Sequence, residues 1–186
     1  MQFNKSVMTA ALFAVAGFTA VSGAHAAGTA TGQFDVKMTI TSACTVSAAS
    51  GANDIDFGDI AAGTALADGS ISNKAAGTAL SVSCSTGAPY VINLTAATEG
   101  NTTGAGTLTG EKEGKTITYQ LHSDATGTKV WGNTGALGVG AGGNGVTGTG
   151  TGITTAIEHL VYATITGSTD VAADNYKDTV NVSVVY

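Results

Sequence analysis

The chain has 186 residues; all seven of its basic residues are Lys, and thirteen acids give it a formal charge of −6. A negative chain with no arginine offers no basic patch, which argues against nucleic acid or an anionic membrane surface as a partner. The first 26 residues have the form of a signal peptide: Lys5 supplies the positive region, Val7 to Val21 the apolar run, and Ala24-His25-Ala26 an A-x-A cleavage site. That run is too short, and too rich in Ala, Gly and Thr, for a membrane anchor. Export through the periplasm is expected to leave one domain of 160 residues, 27–186, which has a net charge of −7 once Lys5 is lost.

Taken in chain order, the first strand signal is Phe34, Val36, Met38 and Ile40 alternating with Asp35, Lys37 and Thr39. Such a period of two marks a strand with one apolar face. The two cysteines follow, Cys44 and Cys84. In an exported chain they are expected to form a disulfide tying an early strand to a later one, worth about 4 kcal/mol by loop-closure entropy. No CxxC and no nearby His supports a metal or redox pair. Asp54 to Ile60 is predicted to be a short strand and Ala61 to Ala76 a loop. Ala79 to Cys84 alternates through Leu80, Val82 and Cys84, and Pro89 opens a strand over Tyr90 to Thr95.

Glu99 to Gly114 is polar and rich in Gly and Thr. Thr116 to His122 and Thr128 to Trp131 are predicted strands joined by a turn at Asp124 to Gly127. Gly132 to Gly152 holds ten glycines in 21 residues and is expected to be an exposed loop that tolerates shortening. Ala156 to Thr166 is predicted to be one long strand. In the last twelve residues Tyr176, Asp178, Val180, Val182, Val184 and Tyr186 fall on one face, opposite Lys177, Thr179, Asn181 and Ser183. A sheet ending in that strand is expected to leave an apolar slot that a strand from another molecule can fill. No amphipathic helix follows the leader, and many short strands separated by turns predict a β-sandwich.

Candidate chemistry is thin. Gly138 to Gly143 matches G-x-G-x-x-G but lies in a Gly/Thr tract, not between a strand and a helix. Asp54, Asp56 and Asp59 resemble part of a calcium site, yet they alternate with Ile55 and Phe57 and miss the EF-hand spacing. His122 and His159 sit in strand patterns without a nucleophile or carboxylate at a recognisable spacing. Trp131 and Tyr119 suit a core better than a sugar-stacking platform. No catalytic, metal or cofactor residue is predicted.

Ser42-Ala-Cys-Thr-Val46, Asp56-Phe-Gly58, Leu80-Ser-Val-Ser-Cys84 and the segment from Tyr176-Lys-Asp-Thr-Val180 to Tyr186 together resemble the spore coat protein U domain family. The resemblance runs from about Gly32 to Tyr186. The glycine tract looks expanded, and Asp174-Asn175 stands where the pattern often has a glycine. The resemblance implies the major subunit of an archaic chaperone–usher pilus. Its fold would be all-β, an incomplete immunoglobulin-like sandwich lacking its last strand. A periplasmic chaperone lends that strand, and an outer-membrane usher exchanges it for the N-terminal segment of the next identical subunit. The segment from Ala27 to about Ile40 would be the donor, or the donor plus the start of the first strand, with Phe34, Val36, Met38 and Ile40 entering a slot bordered by Tyr176, Val180, Val182, Val184 and Tyr186. The implied product is a homopolymeric extracellular fibre on a Gram-negative surface, serving adhesion and biofilm formation, with a tip adhesin as a further partner. Two other classes compete: a secreted β-sandwich binding module, lectin-like or an adhesin, that does not polymerise, and a hydrolase, for which no convergent polar site is visible.

Overall fold

The computed structural model describes residues 27–64, 71–138 and 143–186. The predicted signal peptide lies outside the described residues. The chain divides into two units, Met1–Thr39 and Ile40–Tyr186. Among the described residues there are eleven strands and no helix, as expected from the sequence. In chain order they are β1 (Cys44–Ser47), β2 (Ile71–Ala75), β3 (Leu80–Cys84), β4 (Pro89–Ala96), β5 (Ala105–Gly110) and β6 (Thr116–His122). Then come β7 (Val146–Thr149), β8 (Ile157–His159), β9 (Tyr162–Ile165), β10 (Tyr176–Lys177) and β11 (Val180–Val185).

They form three antiparallel sheets, ordered β10-β5-β6-β9-β2, β1-β3-β8 and β11-β4-β7. One core joins them. Leu80, Val82 and Cys84 of β3 and Tyr90, Ile92 and Leu94 of β4 cluster with Ile117, Tyr119 and Leu121 of β6, with Ile165 of β9, and with Trp131. The five-stranded sheet therefore packs against the other two, and the fold is the expected β-sandwich. Cys44 and Cys84 are disulfide-bonded at directly paired positions of β1 and β3, the early-to-late link read from the sequence. Trp131 is buried to 1% exposure and donates its indole N–H to the Ile92 carbonyl at 2.9 Å, a core role rather than a sugar platform.

Several predicted elements differ. Asp54 to Ile60 forms no strand, because no ladder reaches it; Ile55 and Phe57 nonetheless pack on the core. Asp56 accepts the Gly58 N–H at 2.8 Å, and among the described residues no His, Cys, Asp or Glu cluster is placed to hold a metal. Thr128 to Trp131 makes only an isolated bridge, Val130 to His122. The Asp124 carboxylate organises that hairpin, accepting from both Thr126 and Thr128 hydroxyls and from the Lys129 N–H. Ala156 to Thr166 is broken into β8 and β9, which belong to different sheets. Strands β2 and β5 lie where the sequence predicts a loop and shows a polar, Gly- and Thr-rich stretch.

The glycine tract is the largest departure. It contains β7, paired with β4, and Gly132 and Gly150 are buried. Val91 and Asn93 point away from the core side of β4 yet are buried, because glycine backbone lies on them. The Asn93 side chain pairs with Gly135 as a peptide group would, accepting its N–H and donating to its carbonyl, both at 3.0 Å. A Cβ at Gly135 or Gly145 would strike Val91 and Asn93. Among the described residues, Ala136 to Gly138 is exposed as the expected loop would be, as are Thr134, Gly143 and Thr151; residues 139–142, within the G-x-G-x-x-G match, lie outside the described residues.

The predicted terminal strand is split. Tyr176–Lys177 pairs with β5, and Val180–Val185 pairs with β4 in another sheet. Asp178 makes the crossing. Its carboxylate accepts the Tyr119 hydroxyl at 2.9 Å, the Thr98 hydroxyl at 2.5 Å and the Thr179 N–H at 2.8 Å. Burial, followed by this bond to Asp178, holds the Tyr119 phenol far above its ordinary pKa. Asp178→Ala would orphan the Tyr119 hydroxyl, itself nearly fully buried. We expect it to lower stability by about 2–4 kcal/mol in urea unfolding, with Asp178→Asn recovering only part.

Candidate functional site

Because of that crossing, the terminal segment is the edge of two sheets at once. β10 ends the five-stranded sheet, and β11 ends the sheet containing β4. β11 bonds to β4 along one side only, so its other row of N–H and C=O groups faces no strand among the described residues. Its side chains keep the predicted alternation: Val180, Val182 and Val184 are half-buried against the core, while Asn181, Ser183 and Val185 are exposed. Tyr186 lies beyond β11 and is exposed. An unpaired edge with a half-buried apolar row is a template for a further strand.

A groove of about 610 Å³ opens beside Tyr176 at the base of this edge. Leu108, Ile117 and Ile165 of the five-stranded sheet contribute to its lining, as do Ile55, Phe57 and Ile60 of the unpaired segment after β1. Nothing in the sequence pattern marks these wall residues as site residues. Their alternation was visible, but a segment that packs without pairing cannot be told from a strand by pattern alone. The base of the edge is held firmly. Asp174 accepts the Lys112 N–H at 2.7 Å, the Tyr176 hydroxyl donates to the Ala172 carbonyl at 2.7 Å, and Lys177 pairs with Glu111 at 2.7 Å.

The four predicted donor residues form no strand in the single chain. Among the described residues no strand pairs with their backbone, and an unpaired strand has no ladder to hold it. Phe34, Val36, Met38 and Ile40 are 79% to 88% exposed, so four large apolar side chains stand in water. Their neighbours Asp35 and Lys37 form an ion pair at 2.9 Å, as side chains two apart on one face of extended backbone can.

His159 Nε2 shares a hydrogen bond of 2.8 Å with the Tyr90 hydroxyl, where a satisfied strand residue was expected. His122 departs from that expectation: it is 6% exposed, and its buried Nδ1 finds no hydrogen-bond partner among the described residues. Burial lowers its pKa below the usual 6.5, only partly opposed by the charge of Asp124. The unfolded chain therefore binds more protons near that value. The stability His122 contributes is complete above about pH 6.5 and is lost as pH falls through and below it. Urea unfolding at about pH 7.5 and about pH 5 is expected to show lower stability in acid, with a smaller difference in His122→Phe. Equal differences in the two proteins would remove His122 as the cause.

Comparison with known proteins adds a family. The family model of the Spore Coat Protein U domain matches residues 30–183. No curated protein sequence matches the chain. Among solved structures, the chain is similar to one from Acinetobacter baumannii, the CsuC–CsuE chaperone–tip adhesion subunit pre-assembly complex of archaic chaperone–usher Csu pili. That similarity has 17% identity and a TM-score of 0.47, and it covers 80% of this chain and 40% of that one.

Proposed function

The chain belongs to the spore coat protein U domain family, and from that premise we propose that it is a structural pilus subunit polymerising by donor-strand exchange. The fold is then an immunoglobulin-like sandwich lacking its last strand. A periplasmic chaperone fills the open edge first, and an outer-membrane usher replaces the chaperone's strand with residues 27–40 of the next identical subunit. The extracellular homopolymer serves adhesion and biofilm formation, with a tip adhesin as a further partner.

One observation carries the reading: a single chain holds both an unpaired sheet edge backed by half-buried valines and an exposed segment with matching alternation. Placed on β11, the donor backbone would satisfy the free edge while Phe34, Val36, Met38 and Ile40 meet the apolar side. Burying four such side chains gives roughly 6–12 kcal/mol as an upper bound, enough for a strong link without a covalent bond.

The test is the state of the chain when it is produced with its chaperone and usher. Donor-strand polymers should run as a ladder in detergent without heating and collapse to a single band on boiling. A folded monomer that persists without a chaperone would instead favour a lectin-like module.

A further inference from the structure

We infer that the Cys44–Cys84 disulfide is where fibre tension enters each subunit, and that tension crosses the sandwich by a short route avoiding most of the fold. The inference rests on the pilus reading above. In a fibre the donor segment is pulled, and the pull passes along Thr41 and Ser42 to Ala43. There the first fastenings occur: the Ser85 N–H donates to the Ala43 carbonyl at 2.9 Å, and the Ala43 N–H donates to the Ser85 hydroxyl at 3.0 Å. The very next residue is Cys44, covalently joined to Cys84. Beyond it, β1 offers only Thr45, Val46 and Ser47, all exposed and paired with β3 alone. Three exposed residues on one ladder are a weak hold, of the kind that opens locally. The covalent bond at the point of entry keeps the pull from reaching them.

The other end of the route is β11, along whose free edge the neighbouring subunit's strand would lie. β11 is paired with β4 from Val180 opposite Ala96 to Val185 opposite Val91. β4 leads back through a turn, closed by the Ala88 N–H on the Ser85 carbonyl at 3.0 Å, to Cys84. Tension therefore runs from β11 to β4, through the turn, across the disulfide and out along residues 43 to 40. The five-stranded sheet is outside this route, as is the chain closed off between cysteines 40 positions apart.

Single fibres stretched in an optical trap test this, oxidised and after reduction, with thiol labelling to establish that buried Cys84 has reacted. Fibres of the Cys44→Ser, Cys84→Ser double variant form an independent arm. Reduced and variant fibres should release, at a force that oxidised fibres withstand, an added extension of up to about 130–140 Å per subunit. That is the extended length of the 40 positions no longer closed off, at about 3.3–3.6 Å each. Forced release is governed by the barrier to opening, so the yield force itself should fall. Equal yield force and equal extension in the two states would overturn the inference while leaving the pilus reading intact. If no non-covalent fibre forms at all, the pilus reading fails and takes the inference with it.

Discussion

Aspartate at Val36 or Met38 is expected to abolish fibre assembly while leaving the subunit able to accept a chaperone strand. β1 begins at Cys44 and the first backbone bonds of the sandwich at Ala43, so neither residue belongs to a strand of the subunit that carries it. Both are more than 80% exposed in the single chain, and a charge there costs the fold nothing that burial supplied. In a neighbour's slot the same aspartate would lie unpaired among Val180, Val182 and Val184, at a cost of several kcal/mol. Reversing the charge of Asp35 or Lys37, on the opposite face, should matter far less, since their exposed ion pair is worth little. Two measurements check this: recovery of the chaperone–subunit complex and surface fibres by electron microscopy. Normal fibres from both aspartate variants would refute residues 34–40 as the donor. Loss of the chaperone complex would show that the segment serves the fold itself.

What the sequence made legible follows from how each segment is held. β3 and β6 lie near their predicted places because each is a central strand of its sheet and its buried face writes a period of two; β4, also central, is buried on both faces and is marked instead by Pro89 and the apolar run that follows it. The apolar face of β11, an edge strand, is legible from the same period of two. The crossing at Asp178 is not. Alternation continues unbroken through residues 176 to 186, and only the hydrogen bonds of the Asp178 carboxylate move the chain between sheets. The wall at Ile55 and Phe57 was read as a strand because packing alone sets up the same alternation as pairing. β5 and β7 were missed for a third reason: their glycines read as loop. Glycine in a strand is ordinarily a weakness. Here three of them seat tyrosines opposite: Gly106 lies under Tyr119, Gly110 under Tyr176 and Gly148 under Tyr90, each a directly paired position. An aromatic ring folded over a cross-strand glycine covers its bare backbone, so the pair together does the packing that neither residue type signals alone.

Gly148→Val is accordingly expected to unfold the subunit, although valine is the better strand former. A Cβ at Gly148 would lie 2.2 Å from Tyr90 Cζ and 2.3 Å from its hydroxyl oxygen. Tyr90 has nowhere to go: it is 1% exposed, and its hydroxyl is tied to His159 Nε2 at 2.8 Å. Relief would require either lifting the ring out of the core, giving up that bond and most of the ring's burial, or detaching β7 from β4. Overpacking of this kind costs 1–3 kcal/mol where neighbours can adjust, and more where, as here, the neighbour is pinned. Displacing a buried aromatic adds roughly 3 kcal/mol or more. Against the marginal stability of a domain this size, that is enough to leave little folded subunit. Thr147→Val places the same side chain one residue away on the exposed face of β7, and should change stability by no more than about 0.5 kcal/mol. Yield of chaperone-bound subunit and urea unfolding of the two variants are the measurements. If Gly148→Val matched Thr147→Val, the glycine tract would be the indifferent loop its composition suggests, and the packing of Tyr90 on β7 would not be what holds that edge in place.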